Sequence, residues 1–402
     1  MSRKKEKYVR RNIEKILKSQ IRNFPSLALT GPRQSGKSTT LKKLFPDFQY
    51  ISFDDISVIN RANDDIGLFM DTLNEKVIFD EIQYFPEITR YLKIKIDQDR
   101  NFKGRYILTG SSQFSLIKNL TETLAGRIGI LNLLPFDLME IKNTGGKSFL
   151  NFFINQCLHS AFPEPALKAN SSFSNLWIPA YINTYIEKDI RMIYDIGNIR
   201  DFQALIRLLA ARTSQLLNIN DLSKETGISN KTLKRWVSIL EASFLIYLLP
   251  PYHSNFGKRI TKHPKIYFRD CGLASFLVGL RTKEQLLNSP FTPQLFENFC
   301  VQEILKYYSH IGPSIPGVFF YRTNYGLEID LIIEKKYASI TPVEIKYTKT
   351  PKMKMADNLE TLIKSAKGIE ITKPMLLCAV DKSEFITRNI KAGNLFELFE
   401  TV

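Results

Sequence analysis

Between residues 23 and about 145, short apolar runs alternate with stretches whose apolar positions recur at helical spacing. Runs at 27–30, 49–53, 76–79, 105–109 and 128–133 predict strands. Strands alternating with helices predict a parallel sheet covered by helices. Upstream, Ile13, Ile16, Leu17 and Ile21 share one helical face within residues 1–22, which hold nine Lys/Arg and two Glu. This spacing predicts an amphipathic helix with a basic outer face. Pro135 and the Gly145-Gly146 turn end the first pattern.

Residues 150–215 read as mostly helical, with Glu187 and Arg191 spaced for an i,i+4 pair. A short helix then spans 219–226, Gly227-Ile228-Ser229 turns, and a second helix opens at Asn230 under a Ser229 or Asn230 cap. Leu222, Ile228, Leu233, Trp236 and Val237 would form the core of this helix-turn-helix. Strands at 244–251 and 265–268 with a basic tip at 253–259 complete a winged helix. In 290–402, a helix at 294–309 and strands at 318–322, 327–334 and 341–347 predict a further α/β unit. The chain therefore divides into a basic helix (1–22), a parallel-sheet domain (23–150), a helical and winged-helix domain (151–280) and an α/β domain (281–402).

The connection after the first strand, Gly31-Pro32-Arg33-Gln34-Ser35-Gly36-Lys37-Ser38-Thr39, fits the phosphate-binding loop. Its glycines let successive backbone N–H groups face a phosphate, and the helix that follows adds its positive end. Lys37 would reach the β- and γ-phosphates of ATP, and the Ser38 hydroxyl would bind Mg2+. The strand Val77-Ile78-Phe79 ends in Asp80-Glu81, where Asp80 would join the Mg2+ shell and Glu81 would act as general base on the attacking water. The next strand ends in Ser111-Ser112-Gln113, any of which would sense the γ-phosphate, the alternative being a polar turn at the strand end. Arg127 can neutralise charge on the transferred phosphoryl group, in its own site or a neighbour's, or serve as a salt-bridge residue. Arg33 is a second such arginine.

Lys231, Lys234 and Arg235 open the second helix of the helix-turn-helix, and Lys258, Arg259 and Lys262 line the wing; all six suit a DNA backbone. In the last domain Asp330, Glu344 and Lys346 form the D…E-x-K pattern of restriction-type nucleases. There two carboxylates hold Mg2+ and the lysine orients water; Glu297 would be a further ligand. Ordinary cross-strand salt bridges are the alternative.

Composition narrows this picture. In 402 residues there are 56 Lys+Arg against 40 Asp+Glu, a net charge of +16. That favours a polyanionic partner, nucleic acid first. No apolar run approaches the roughly 18 residues of a membrane span, and no apolar segment follows the basic start as in a secretory signal. The four cysteines lack metal-type spacing and read as reduced core residues of a cytoplasmic protein.

Taken together, the chain resembles a group of prokaryotic ATPases of the AAA superfamily. The matching strings are Gly31-Pro32-Arg33-Gln34-Ser35-Gly36-Lys37-Ser38, Phe79-Asp80-Glu81-Ile82-Gln83, Leu108-Thr109-Gly110-Ser111-Ser112-Gln113, Leu124-Ala125-Gly126-Arg127, Tyr267-Phe268-Arg269-Asp270, Leu295-Phe296-Glu297-Asn298-Phe299 and Glu328-Ile329-Asp330-Leu331. The resemblance implies an AAA/ASCE-type P-loop domain, a winged helix and a restriction-endonuclease-like domain, with Mg-ATP binding and hydrolysis. Many relatives carry Gly-Gly before Tyr-Pro-Glu-Pro where this chain has Ser160-Ala161-Phe162, a departure from the family's pattern at that turn. The expected function is a Mg-dependent ATPase coupled to DNA binding or remodelling. The alternatives are an ATP-gated DNA- or protein-binding switch with an inert nuclease-like domain, and an ATP-regulated Mg-dependent endonuclease. An oligomer is required if Arg127 acts on a neighbour.

Overall fold

The computed structural model describes residues 8–110, 123–142, 148–184, 196–252, 263–312, 316–323, 325–366 and 368–401. Ser111, Ser112 and Gln113, the Gly145-Gly146 turn, Glu187 and Arg191, and the wing cations Lys258, Arg259 and Lys262 lie outside the described residues. Two compact units are present. The first comprises Met1–Phe136 with Ala242–Phe244 and Ser309–Pro313; the second comprises Asp137–Glu241, Leu245–Tyr308 and Ser314–Val402.

The first unit is built on β1 (Ser26–Thr30), β2 (Gln49–Ser52), β3 (Val77–Asp80), β4 (Tyr106–Gly110) and β5 (Ile128–Asn132), in the order β2-β3-β4-β1-β5. All four pairings are parallel. Parallel strands need crossovers, and the helices between them cover both faces. Hence β1, β3 and β4 are buried along their whole length. On one face Ala28, Phe79 and Leu108 pack with Phe53, Phe69, Leu92 and Ile96. On the other, Leu27, Leu29, Ile78 and Ile107 meet Ile13, Ile16 and Leu17 of the lead-in segment and Leu41. The lead-in helix, α1 (Glu14–Asn23), thus lays its apolar stripe on the sheet.

The order β3-β4-β1 brings the ends of β1 and β3 to one edge, separated by a single strand. There β1 runs into the phosphate loop and α2 (Lys37–Leu44), while β3 delivers Asp80. Ligands of parallel sheets bind at this carboxyl edge.

In the second unit, α3 (Ile219–Thr226), a left-handed Gly227 at φ +71° and α4 (Asn230–Ala242) follow in order. The Ser229 hydroxyl accepts from the Thr232 N–H, so Ser229 is the cap. Leu222, Leu233, Trp236 and Val237 are buried. An antiparallel pair follows, β6 (Ile246–Leu249) and β7 (Lys265–Phe268). Farther on, helix α5 (Thr292–Ile311) precedes a second sheet. That sheet centres on β8 (Gly317–Arg322), β9 (Glu328–Lys336) and β10 (Ser339–Lys346), with β9 antiparallel to both neighbours.

The turn at Ser160 takes a conformation suited to glycine, φ 68° and ψ 162°. It is held by buried Asp270, which accepts from the Ser160 hydroxyl at 3.0 Å and the Ala161 N–H at 2.8 Å. A hydrogen-bonded serine thus stands where glycine would be free of strain. All four cysteines are buried and free. Among the described residues no helix is long and apolar enough to cross a membrane.

Candidate functional site

The loop after β1 depends on glycine for space. A Cβ on Gly31, whose φ is +146°, would lie 2.1 Å from the Leu133 carbonyl oxygen. Gln34 (φ 62°) and Gly36 (φ 94°) are also left-handed, and residues of alternating hand line up N–H groups as an anion-binding nest. Lys37 Nζ curls back and donates to the carbonyls of Gly31 and Pro32, 3.0 Å each. Burial lowers its pKa, while nearby Glu81 and Asp80 oppose the shift. The Ser35 hydroxyl is buried without a hydrogen-bond partner. A phosphate in the loop would satisfy that hydroxyl and offer Lys37 oxygens in place of the carbonyls. The donor set therefore fits a nucleotide phosphate. Arg33, Gln34 and Thr39 are exposed.

The Asp80 carboxylate collects three hydroxyls. Ser38 donates to Oδ2 at 2.8 Å, Tyr50 donates to the same oxygen, and Thr109 donates to Oδ1. One residue each from α2, β2 and β4 is thereby fixed to the end of β3. Burial and the bond to Asp80 push the Tyr50 phenol far above its usual range, keeping it a donor. Glu81 follows in the left-handed region at φ 55° and ψ 46°, and the Gln83 amide donates to its carboxylate. Non-glycine backbone held there carries roughly 1–3 kcal/mol of strain, typical of residues aimed into a site. Ser38 and Asp80 supply the hydroxyl and carboxylate donors that suit Mg2+.

Two arginines differ from what position alone suggests. Arg127 is engaged with Asp97: its Nε and Nη2 lie 2.8 and 2.9 Å from the two carboxylate oxygens, and Nη1 donates to Ala125 O at 3.0 Å. The Arg127 bond holds the Asp97 carboxyl down at about 2. Arg11, one of nine cations in its segment, is only 3% exposed. It donates to Ser35 O at 2.9 Å and Leu134 O at 2.7 Å, with its guanidinium 4.8 Å from the Phe136 ring. It ties the back of the phosphate loop to the segment after β5. Helical periodicity marks apolar faces, so nothing local singled Arg11 out.

In the second unit the structure brings Asp330, Glu344 and Lys346 together. Lys346 Nζ lies 2.7 Å from Glu344 Oε1 and 3.6 Å from Asp330 Oδ2. Asp330 Oδ2 also accepts from the Ile345 N–H at 2.9 Å. Glu297 joins them through residues that sequence reading had assigned no role. Lys265 Nζ lies 2.7 Å from Glu328, 3.2 Å from Glu297 and 3.5 Å from Asp330. The Tyr267 hydroxyl donates to Glu297 at 2.7 Å. Burial, with Asp330 nearby, pushes Glu297 and Glu344 up to about 7. Burial alone would lower Lys265, but Glu297, Asp330 and Glu328 overcome it and hold the ammonium above its usual range. Lys231, Lys234 and Arg235 are exposed on α4.

Arg11→Ala should weaken nucleotide binding roughly tenfold, the loss of about 1.4 kcal/mol of loop support, while Arg10→Ala, at an exposed neighbour, should not. Titration with a fluorescent ATP analogue reads both, and equal affinities would contradict the support role. For Glu344, a folded pKa near 7 lies above the unfolded value, so its contribution is fully present below the unfolded pKa and is lost as pH rises through 7. The second unit holds both tryptophans, Trp177 and Trp236. Its fluorescence-monitored urea midpoint should fall between about pH 5 and 7, and Glu344→Gln should flatten that fall; parallel curves would refute the shift.

Comparison with known proteins agrees with this geometry in the first unit. Residues 23–142 match the family model of an AAA domain. Residues 151–284 and 293–398 each match a domain of unknown function. The chain is 25% identical to the uncharacterized protein Rv2008c of Mycobacterium tuberculosis over 350 residues, 85% of this chain and 75% of that protein. It is 22% identical over 281 residues to an uncharacterized protein of Haemophilus influenzae, covering 62% and 68%. Among solved structures it is similar to the Walker-type ATPase PABY2304 of Pyrococcus abyssi, with a TM-score of 0.43 and 16% identity over 68% of this chain and 97% of that one. The parallel sheet, its phosphate loop and the matched model make residues 23–142 a P-loop ATPase-like domain of the AAA type.

Proposed function

We propose that this chain is a Mg-dependent ATPase whose turnover is coupled to DNA binding or remodelling. The observation that carries the reading is the Asp80 carboxylate, bonded to Ser38, Tyr50 and Thr109 one residue before a strained Glu81. The N–H groups of residues 33–38 bind the phosphates, and Lys37 leaves its two carbonyls to pair with them. Ser38 and Asp80 hold Mg2+, which when bound neutralises charge on the β- and γ-phosphates. Glu81 accepts a proton from the attacking water. Arg127, released from Asp97, offsets charge on the transferred group in its own site or in a neighbouring copy, and Ser112 contacts the γ-phosphate.

The DNA part of the reading is supported by the net charge of +16 and by exposed Lys231, Lys234 and Arg235 on the second helix of a helix-turn-helix. In this reading the hairpin β6–β7 is the wing, and Lys258 and Arg259 contact the DNA backbone. The second reading is an ATP-gated switch that holds DNA or a protein beside an inert nuclease-like domain. It is favoured by Lys265, which occupies carboxylates that an endonuclease would need for Mg2+.

Lys37→Ala should abolish nucleotide binding. Glu81→Gln should bind ATP as tightly as wild type but turn it over at least ~100-fold more slowly. Phosphate release and nucleotide titration measure the two effects separately. Brisk hydrolysis by Glu81→Gln would overturn the base assignment.

A further inference from the structure

Lys265 lies on β7, and its side chain is only 4% exposed. The strand is held on both sides: it pairs with β6 from Ile246↔Phe268 to Leu249↔Lys265, and Lys265 also bridges to Leu216. The ammonium therefore projects from a fixed backbone into the carboxylates of α5 and β9. An ammonium has three protons to donate, and this one faces three carboxylates, Glu297, Glu328 and Asp330. Tyr267, two residues along the same strand, donates to the Glu297 oxygen that Lys265 contacts.

We propose that Lys265 is the built-in cation of this cluster, and that the Glu297–Asp330 side takes no divalent metal ion. This rests on the reading in which the nuclease-like domain is inert, and it is independent of the ATPase. A magnesium or manganese ion needs carboxylate oxygens at roughly 2.0–2.2 Å. Here the Glu297 and Asp330 oxygens that would supply them are already shared with the ammonium at 3.2 and 3.5 Å. An ion bound to both would stand against a positive charge that cannot withdraw.

The charges agree. Glu297, Glu328, Asp330 and Glu344 are met by Lys265, Lys346 and Arg322, the last 3.6 Å from Glu328. Counted as fully ionised, four negative and three positive groups leave −1, which a divalent ion would turn to +1. Oε2 of Glu344 is buried without a partner. Its other oxygen pairs with Lys346 at 2.7 Å.

The test is Mn2+ binding, read by electron paramagnetic resonance of the free ion, in the full chain without nucleotide. Lys37→Ala is the background, and Asp330→Asn assigns any bound ion to this cluster. The background protein should bind no Mn2+ that both Asp330→Asn and Glu297→Gln remove. Adding Lys265→Met should create about one site per chain, with affinity of roughly 1 mM or tighter, and Asp330→Asn should erase it. Lys265→Arg, which keeps the charge, should stay empty. Mn2+ in the background protein that is lost with Asp330→Asn and also with Glu297→Gln would overturn the proposal, as would a folded Lys265→Met protein that gains no site. If Lys265→Met does not fold, the background and Lys265→Arg measurements still decide it. A failure of the ATPase reading would appear in phosphate release and leave these ion counts unchanged.

Discussion

Everything in the first unit converges on one buried carboxylate. Asp80 accepts hydroxyls from Ser38, Tyr50 and Thr109, so the loop after β1, the strand β2 and the strand β4 are all referenced to the end of β3. This is possible only because β1 and β3 flank β4 in a parallel sheet, with all their carboxyl ends at one edge. A carboxylate with three donors is well satisfied in a buried setting. The same hydroxyl and carboxylate are the donors a Mg2+ ion would use, so the site is held in register by the groups that would perform its chemistry.

A second theme is how buried cations are held. Lys37 sits on two carbonyls of its own loop, Arg11 on two carbonyls behind it, and Lys265 on three carboxylates. The partners separate their roles. Carbonyls hold an ammonium with neutral dipoles, and a phosphate competes well with them. Three carboxylates hold one far more firmly, because removing the cation would leave negative charges crowded and poorly solvated. On this basis Lys37 is poised to move and Lys265 is fixed.

The strands of the first sheet, the phosphate loop and the two helices around Gly227 were legible in the sequence, because each rests on local signals: apolar runs, glycine spacing and a capping serine. The ends of strands shifted by one or two residues, as at 246–249 within the expected 244–251. What stayed hidden depends on contacts between distant positions. Lys265 reads locally as one more cation beside a basic wing, and only the packing of β7 against α5 and β9 shows that it enters the carboxylate cluster. Arg11 was masked by eight other cations in its segment. Tyr50 and Thr109 lie inside apolar runs, where a hydroxyl looks incidental until the sheet order sets both beside Asp80. Ser160 departs from the glycine of similar sequences, but its Asp270 partner is 110 residues away.

The proposed function joins the two units, with ATP chemistry in the first serving DNA held by the second. The most direct measurement is phosphate release by the wild-type chain in Mg-ATP, with and without duplex and single-stranded DNA, over a series of salt concentrations, with the DNA then run on a gel. The account predicts that DNA raises turnover, that the effect fades as salt rises, and that the DNA stays intact. Turnover indifferent to DNA at low salt would contradict the coupling, and cleaved DNA would contradict the inert nuclease-like domain.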